Sequence, residues 1–185
     1  MILVMFIMLF GMSSDGVALF GPLAVDDFDK LNDNYYRGGQ PKRDDFARLA
    51  ALGIKAVVNL RHDGPDEEQT VVENAGMKFY AIGMSASHPP SENDIHQFLE
   101  IVNDPANQPV FVHCEDGQIR TGVMTAAYRI NHEGWTADQA YAEMKKYDFH
   151  CLWHHGLKRH HNLKRFIYRY YDSIHSRQPV AKAGS

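Results

Sequence analysis

Val110-Phe111-Val112-His113-Cys114-Glu115-Asp116-Gly117-Gln118-Ile119-Arg120-Thr121-Gly122 is the stretch on which the fold turns. Its first three residues are apolar, and two of them are β-branched, as a buried parallel strand requires. Pro109 precedes them, and an apolar helix is predicted from Thr121 to Asn131. A strand that passes through a short loop into a helix is one unit of an α/β sheet. The loop then lies at the C-terminal edge of the sheet, where such folds carry their sites.

The composition of the loop has a chemical reading. The backbone N–H groups of Glu115, Asp116, Gly117, Gln118 and Ile119, with the start of the helix, form an anion cradle. Gly117 allows a tight turn, with φ free to be positive. Arg120 can clamp two phosphate oxygens through its planar fork. Cys114 sits at the base of the same positive field, which favours thiolate over thiol. Thr121 can hydrogen-bond the sulfur, and His113 can fix the loop. The other reading of Cys114 is an inert packing cysteine.

Upstream, the same alternation recurs. Tyr35-Tyr36-Arg37 reads as a short strand closed by Gly38-Gly39. Pro41 is expected near the first turn of a helix whose apolar face is Phe46, Leu49, Ala50 and Leu52, with Gly53 as its stop. Ile54–Leu60 is a strand, Asp66–Ala75 a helix capped by Gly76, and Lys78–Ile82 a strand. Ser91 caps a helix that carries Ile95, Phe98, Leu99 and Val102 on one face. Asp26–Asp29 and Asn32–Asn34 read as turns. Downstream, Thr136 and Gln139 have the spacing of a capping box. Leu163, Phe166, Ile167 and Tyr170 mark a packed terminal helix over 157–177 with a basic outer face. The expected architecture is α/β, a largely parallel central sheet flanked by helices, in one domain over 21–177. Residues 178–185 are expected to be a loose tail.

Composition narrows the classes. The chain has 185 residues, 44% hydrophobic and 23% charged, which suits one globular domain. A net charge of −4 and a pI of about 6.2 argue against a general nucleic-acid binder. Two cysteines exclude a disulfide scaffold and a four-cysteine zinc site. No apolar run reaches the ~18 residues of a standard membrane span. Met1–Phe10 is entirely apolar and fits the core of a secretory signal, with Gly16-Val17-Ala18 as a cleavage site. No Lys or Arg precedes it, so residues 1–20 have two readings: a signal for export to a periplasm or the exterior, or an apolar tail on a cytoplasmic protein.

His113-Cys114, five residues, then Arg120-Thr121-Gly122 resembles the signature of cysteine-dependent protein tyrosine phosphatases. Tyr36-Arg37-Gly38-Gly39-Gln40-Pro41, Leu52-Gly53-Ile54-Lys55 and Val57-Val58-Asn59-Leu60-Arg61 resemble the N-terminal half of small dual-specificity-like phosphatases, bacterial ones especially. Gly134-Trp135-Thr136 fits the same group, and the resemblance runs from about Asp26 to Tyr171. A rhodanese-like sulfurtransferase also places a cysteine loop at a helix start, but the Arg-Thr-Gly continuation and His113 favour the phosphatase. The resemblance implies two steps without metal or other cofactor. Cys114 attacks phosphorus to give a phosphocysteine, and water then hydrolyses it, while Arg120 and the loop amides stabilise both transition states. The implied partner is a phosphorylated protein or peptide, acted on by a monomer.

The family takes its general acid, an Asp, from a neighbouring loop, here Ile82–Pro90. That loop has no Asp or Glu. His88 is the titratable candidate within it, with an exposed loop histidine as the plain reading. Asp116 is the alternative, and Asp63, Asp66, Glu67 and Asp94 are more remote; Asp94 also suits a helix N-terminal turn. Without an acid, aryl phosphates still react, because phenolate leaves easily. Glu115 and Asp116 would repel a polyanion, which ranks phosphotyrosine above phosphoinositide or phytate substrates. The departures also keep a phosphotyrosine-binding pseudophosphatase open. Cys151 is read as a packing residue, with a protective disulfide to Cys114 as the alternative. His150, His154, His155, His160 and His161 are read as a polar helix surface rather than a metal site.

Overall fold

The structure, a computed structural model, describes residues 22–64, 67–85, 88–147 and 157–177. In chain order, the elements are β1 (Asp29–Asn32), β2 (Tyr35–Gly38), α1 (Asp45–Ala51), β3 (Ala56–Arg61), α2 (Glu68–Asn74), β4 (Lys78–Met84), α3 (Glu92–Asn103), β5 (Val110–His113), α4 (Ile119–His132), α5 (Ala137–Met144) and α6 (Leu157–Arg177). The expectations for residues 1–20, Asp66, His150, Cys151, His154, His155 and 178–185 lie outside the described residues, as do the side chains of His160 and His161.

Five strands form one sheet in the order β1-β2-β5-β3-β4. β2, β5, β3 and β4 run parallel, and β1 is added antiparallel at the edge. This is the expected largely parallel α/β sheet, except that the antiparallel β1 replaces part of a segment read as turns. Its four residues include a single aliphatic, Leu31, so hydrophobic patterning is silent there. Backbone pairing with β2 makes it a strand.

The central strands β3 and β5 bury both faces, as parallel strands should. Ala56, Val58 and Leu60 of β3 join Val110 and Val112 of β5 in a core with Ile95, Phe98 and Val102 of α3 and Met124 and Ala127 of α4. Val57 and Phe111 turn the other way, onto Phe46 and Leu49 of α1 and Val72 of α2. A third cluster packs α5 and α6 on the outer side of α4 through Val123, Ile130, Ala140, Leu163 and Ile167. Alternation along β5 therefore aims His113 to the α1/α2 side with Phe111, while Cys114 joins the α3/α4 core.

Several boundaries move. α1 begins at Asp45, so Pro41 precedes the helix instead of opening it. Buried Asp45 is the reason: its carboxylate accepts from Lys42 N (3.1 Å) and Ala24 N (3.3 Å) and pairs with Arg48 (2.8 Å), which organises the turn before the helix. Leu52 is 40% exposed at the C-cap and does not belong to the apolar face. β4 runs two residues further than expected, to Met84, and α4 starts at Ile119. Ser91 and Thr136 both close capping boxes, with Asp94 and Gln139 respectively.

Candidate active site

The loop from Cys114 to Gln118 leaves β5 and enters α4 at Ile119. Cys114 is 2% exposed at its base. Gly117 has φ +75°, and a Cβ there would lie 2.6 Å from both Gly38 C and Gly39 N. No other residue satisfies both the left-handed backbone and that approach. The end of β2 is thus the floor of the loop. Gln40 N donates to Glu115 O (2.8 Å), and Arg37 Nη2 donates to Gly117 O (2.5 Å). A planar peptide points its N–H opposite to its C=O. Pinning these two carbonyls downward turns the amides of Asp116 and Gln118 the other way, into the loop.

A polar network continues from this floor. His113 Nε2 lies 2.8 Å from Glu68 Oε1, and both residues are buried. Glu68 Oε2 accepts from Asn59 Nδ2 (2.9 Å) and Gln40 Nε2 (2.8 Å). His113 Nδ1 is 3.4 Å from Cys114 O, so His113 reaches the loop backbone as well as the network. Arg61 pairs with Glu115, donates to Gln40 Oε1 (3.0 Å) and to Asp63 O (3.0 Å). Asp63 Oδ1 is 3.6 Å from Arg120 Nη1. Arg120 is itself buried at the start of α4.

The structure brings Cys114, His113, Gly117, Arg120 and Thr121 to one loop and adds Asp63 from the loop after β3. Burial would raise the Asp63 carboxyl, but its own backbone, Arg61, His62 and Arg120 outweigh that and hold it below the usual carboxylate range. A carboxylate so held orients Arg120 and is poorly suited to donating a proton at neutral pH. His88 is exposed, with Nδ1 3.4 Å from Ser85 Oγ, and makes no hydrogen bond to residues 113–121. Asp116 is exposed on the loop itself. Asp94 accepts from Ser91 N (2.8 Å) in its capping box, and Glu67 pairs with Arg43 (3.5 Å) at the surface.

One expected bond is not made. The hydroxyl of Thr121 is buried without a partner, so it does not bond the Cys114 sulfur. Thr121 sits on the first turn of α4, and its Oγ1 is buried there without a partner among the described residues, an arrangement that is costly for a hydroxyl. The sequence reading also missed Glu68 and the role of Arg37. Glu68 looks like an ordinary acid in a helix first turn. Arg37 looks like a strand-end surface residue, although the Gly38-Gly39 that follows is a signal of close backbone approach.

A groove of about 400 Å³ lies between the start of α3 and α6, lined by Pro89, Pro90, Arg165, Phe166, Arg169 and Tyr170. It excludes the Cys114 loop, where the polar chemistry is concentrated. Among the described residues no group of three or more His, Cys, Asp or Glu is placed to hold a metal, and no helix is long and apolar enough to cross a membrane.

Comparison with known proteins places this geometry. The chain is 33% identical over 107 residues to inositol diphosphatase DSP2 of Oryza sativa subsp. japonica, a match covering 55% of the chain and 52% of that protein. It is 28% identical over 125 residues to the probable tyrosine-protein phosphatase DG1060 of Dictyostelium discoideum, covering 65% of the chain and 75% of that protein. The chain thus spans about half the length of the rice relative. The crystal structure of the core catalytic domain of the PP-IP phosphatase SIW14 from S. cerevisiae superposes with a TM-score of 0.68 at 26% identity, over 83% of this chain and 90% of that one. A family model described as PTP-NADK, DSP-PTPase phosphatase fused to NAD+ kinase, matches residues 24–159, which include every strand, the glycine floor and the cysteine loop. With most of the chain matched, this protein belongs to that DSP-PTPase family.

Proposed function

We propose that the chain is a cysteine-dependent phosphohydrolase in which Cys114 is the nucleophile. The observation that carries this reading is the loop itself: a buried cysteine under amides turned inward by Arg37 and Gln40, with Arg120 beside them. The Cys114 sulfur attacks phosphorus, the bond to the leaving oxygen breaks, and that oxygen takes a proton. Water then attacks the phosphocysteine, releasing inorganic phosphate and restoring the sulfur anion. Arg120 and the loop amides offset the charge on the non-bridging oxygens in both steps. On this reading the Thr121 hydroxyl, buried and not bonded to the sulfur at rest, turns to donate to it as it departs. Asp63 holds Arg120, and the proton donor is Asp116 or His88.

The substrate we propose is a phosphotyrosine protein. The loop adds Glu115 and Asp116 and no lysine, so it has little surplus charge for a polyanion. A phenolate also leaves readily where the acid is weak. A second reading is an inositol pyrophosphate. The named activities of the rice and yeast relatives favour it, and so does the pairing of Glu115 with Arg61, which removes one of the two repelling charges.

The test is turnover by the full chain under reducing conditions, with and without Cys114→Ser. A phosphotyrosine peptide and a diphosphoinositol polyphosphate are compared at equal concentration. Phosphate release by the wild type that the serine variant abolishes is expected, with the peptide preferred. Turnover that survives Cys114→Ser would refute the nucleophile, and a preference for the pyrophosphate would select the second reading.

A further inference from the structure

Arg37 is the largest of the fully buried side chains, with 0% of its surface exposed. Its guanidinium carbon lies 3.5 Å from the centroid of the Tyr147 ring, and its one hydrogen bond, from Nη2, goes to Gly117 O. Among the described residues Nε and Nη1 have no hydrogen-bond partner. Among the described residues no carboxylate pairs with it. Glu143 acts on it through space, but that carboxylate is committed to Arg129 at 2.7 and 3.2 Å. Arg129 shows what this fold does with a cation kept for stability: it supplies two carboxylates, Glu143 and Glu133.

A buried cation without its own counter-charge carries a large desolvation penalty, and an apolar side chain of similar length would relieve it. Burial pulls Arg37 below the usual arginine range, while Tyr147 and the Cys114 sulfur act in the other direction. Packing therefore does not account for the charge. The one carboxylate named within its field, Glu143, is already paired with Arg129, which leaves the loop above Arg37, with Cys114 at its base, as the place for a counter-charge.

We propose that Arg37 is the buried counter-cation of the phosphate loop, a positioning residue that acts without touching the substrate. It works in two ways. Its hydrogen bond fixes the Gly117 peptide so that the Gln118 amide faces the bound group, and its charge is neutralised when a dianion fills the loop. Tyr147, whose hydroxyl donates to Asp29 (2.6 Å), holds the guanidinium flat beneath the loop. This rests on the catalytic reading above, so its test uses binding instead of turnover.

Inorganic vanadate binding to the full chain is measured by calorimetry, beside thermal midpoints, for the wild type, Arg37→Lys, Arg37→Gln and Arg37→Met. Gln is shorter and uncharged but keeps a polar amide, so it answers the question if the Met variant does not fold. The expected result is binding at least ten-fold weaker in Gln and Met, partly recovered in Lys, with the midpoints of Gln and Met equal to or above that of the wild type. Vanadate binding in the Gln variant within two-fold of wild type would overturn the proposal. So would equal weakening in all three variants with midpoints falling in step, or failure of all three to fold, since each makes Arg37 a packing residue. A wild type that binds vanadate but does not turn over substrate would count against the catalytic reading and leave the Arg37 comparison intact.

Discussion

Replacing Glu68 by alanine is the sharpest probe of how the cysteine loop is held. Glu68 is 2% exposed and answers three donors, from His113 (2.8 Å), Asn59 (2.9 Å) and Gln40 (2.8 Å). A buried donor left without a partner costs about 1–3 kcal/mol. Gln40 is only part-buried and can turn to water, so the full cost is not reached three times over. Two buried donors, those of His113 and Asn59, lose their acceptor, so the expected loss is about 3–5 kcal/mol. For a chain of this size about 1 kcal/mol moves the melting midpoint by roughly 2–4 °C, so Glu68→Ala should melt roughly 6–20 °C below wild type. Glu68→Gln keeps the shape. Its carbonyl can face Asn59 and Gln40, and its amide can face His113 Nε2 if the ring proton moves to Nδ1, 3.4 Å from Cys114 O. It should lose only about 1 kcal/mol, the worth of an ordinary hydrogen bond. Thermal and urea unfolding of the three proteins decide it. An alanine variant within about 1 kcal/mol of wild type, or a glutamine variant as unstable as alanine, would refute the network as the support of His113.

Other outcomes follow from the same geometry. Gly117→Ala forces a Cβ to within 2.6 Å of the Gly38-Gly39 backbone at φ +75°, so aryl phosphate turnover should fall at least ~100-fold while the far-UV spectrum is kept. Asp63→Asn should raise KM by loosening Arg120 and leave the alkaline limb of the pH–rate profile in place; loss of that limb would make Asp63 the acid after all. Burial raises the phenols of Tyr35 and Tyr147, and pushes Tyr170 up to about 12. A raised group stabilises the fold below its unfolded value, about 10 for tyrosine, and that contribution is lost as pH rises through the folded value. Urea midpoints should therefore hold to about pH 10 and fall from there to 12, and a flat profile over that range would contradict the burial of these hydroxyls.

The parts of the molecule legible in the sequence are those where local chemistry and tertiary role coincide. β5, the cysteine loop and α4 follow from an apolar run, a glycine and a helix start in direct succession. Ser91 and Thr136 declare their helices because the cap bonds are made within four residues. What escaped depends on contacts distant in the chain. β1 is a strand because β2 is beside it, and Lys30 and Asn32 have no preference of their own. Glu68 becomes part of the site through His113, 45 residues away. Arg37 is buried by Tyr147 and by a loop 80 residues further on. The proton donor stayed open for a related reason: the loop before α3 has no carboxylate, and geometry drew Asp63 to Arg120 instead of to a leaving group.

The glycine floor has a consequence for when, during folding, the thiol acquires its special surroundings. β2 and β5 pair in parallel across some 75 residues of chain, Tyr35 opposite Val110 and Gly38 opposite His113. Contacts of that sequence separation form late, because the loop they close must first give up its entropy. Until Gly38, Gly39 and Gln40 have docked, nothing pins the carbonyls of Glu115 and Gly117, and the amides above Cys114 are free to point anywhere. A nascent or misfolded chain therefore carries the whole signature from His113 to Gly122 without an anion cradle. If Cys114 is the nucleophile we propose, its reactivity is in this sense a reporter of complete assembly. Grafting residues 113–122 onto another strand–helix junction would transfer the letters and leave the chemistry behind.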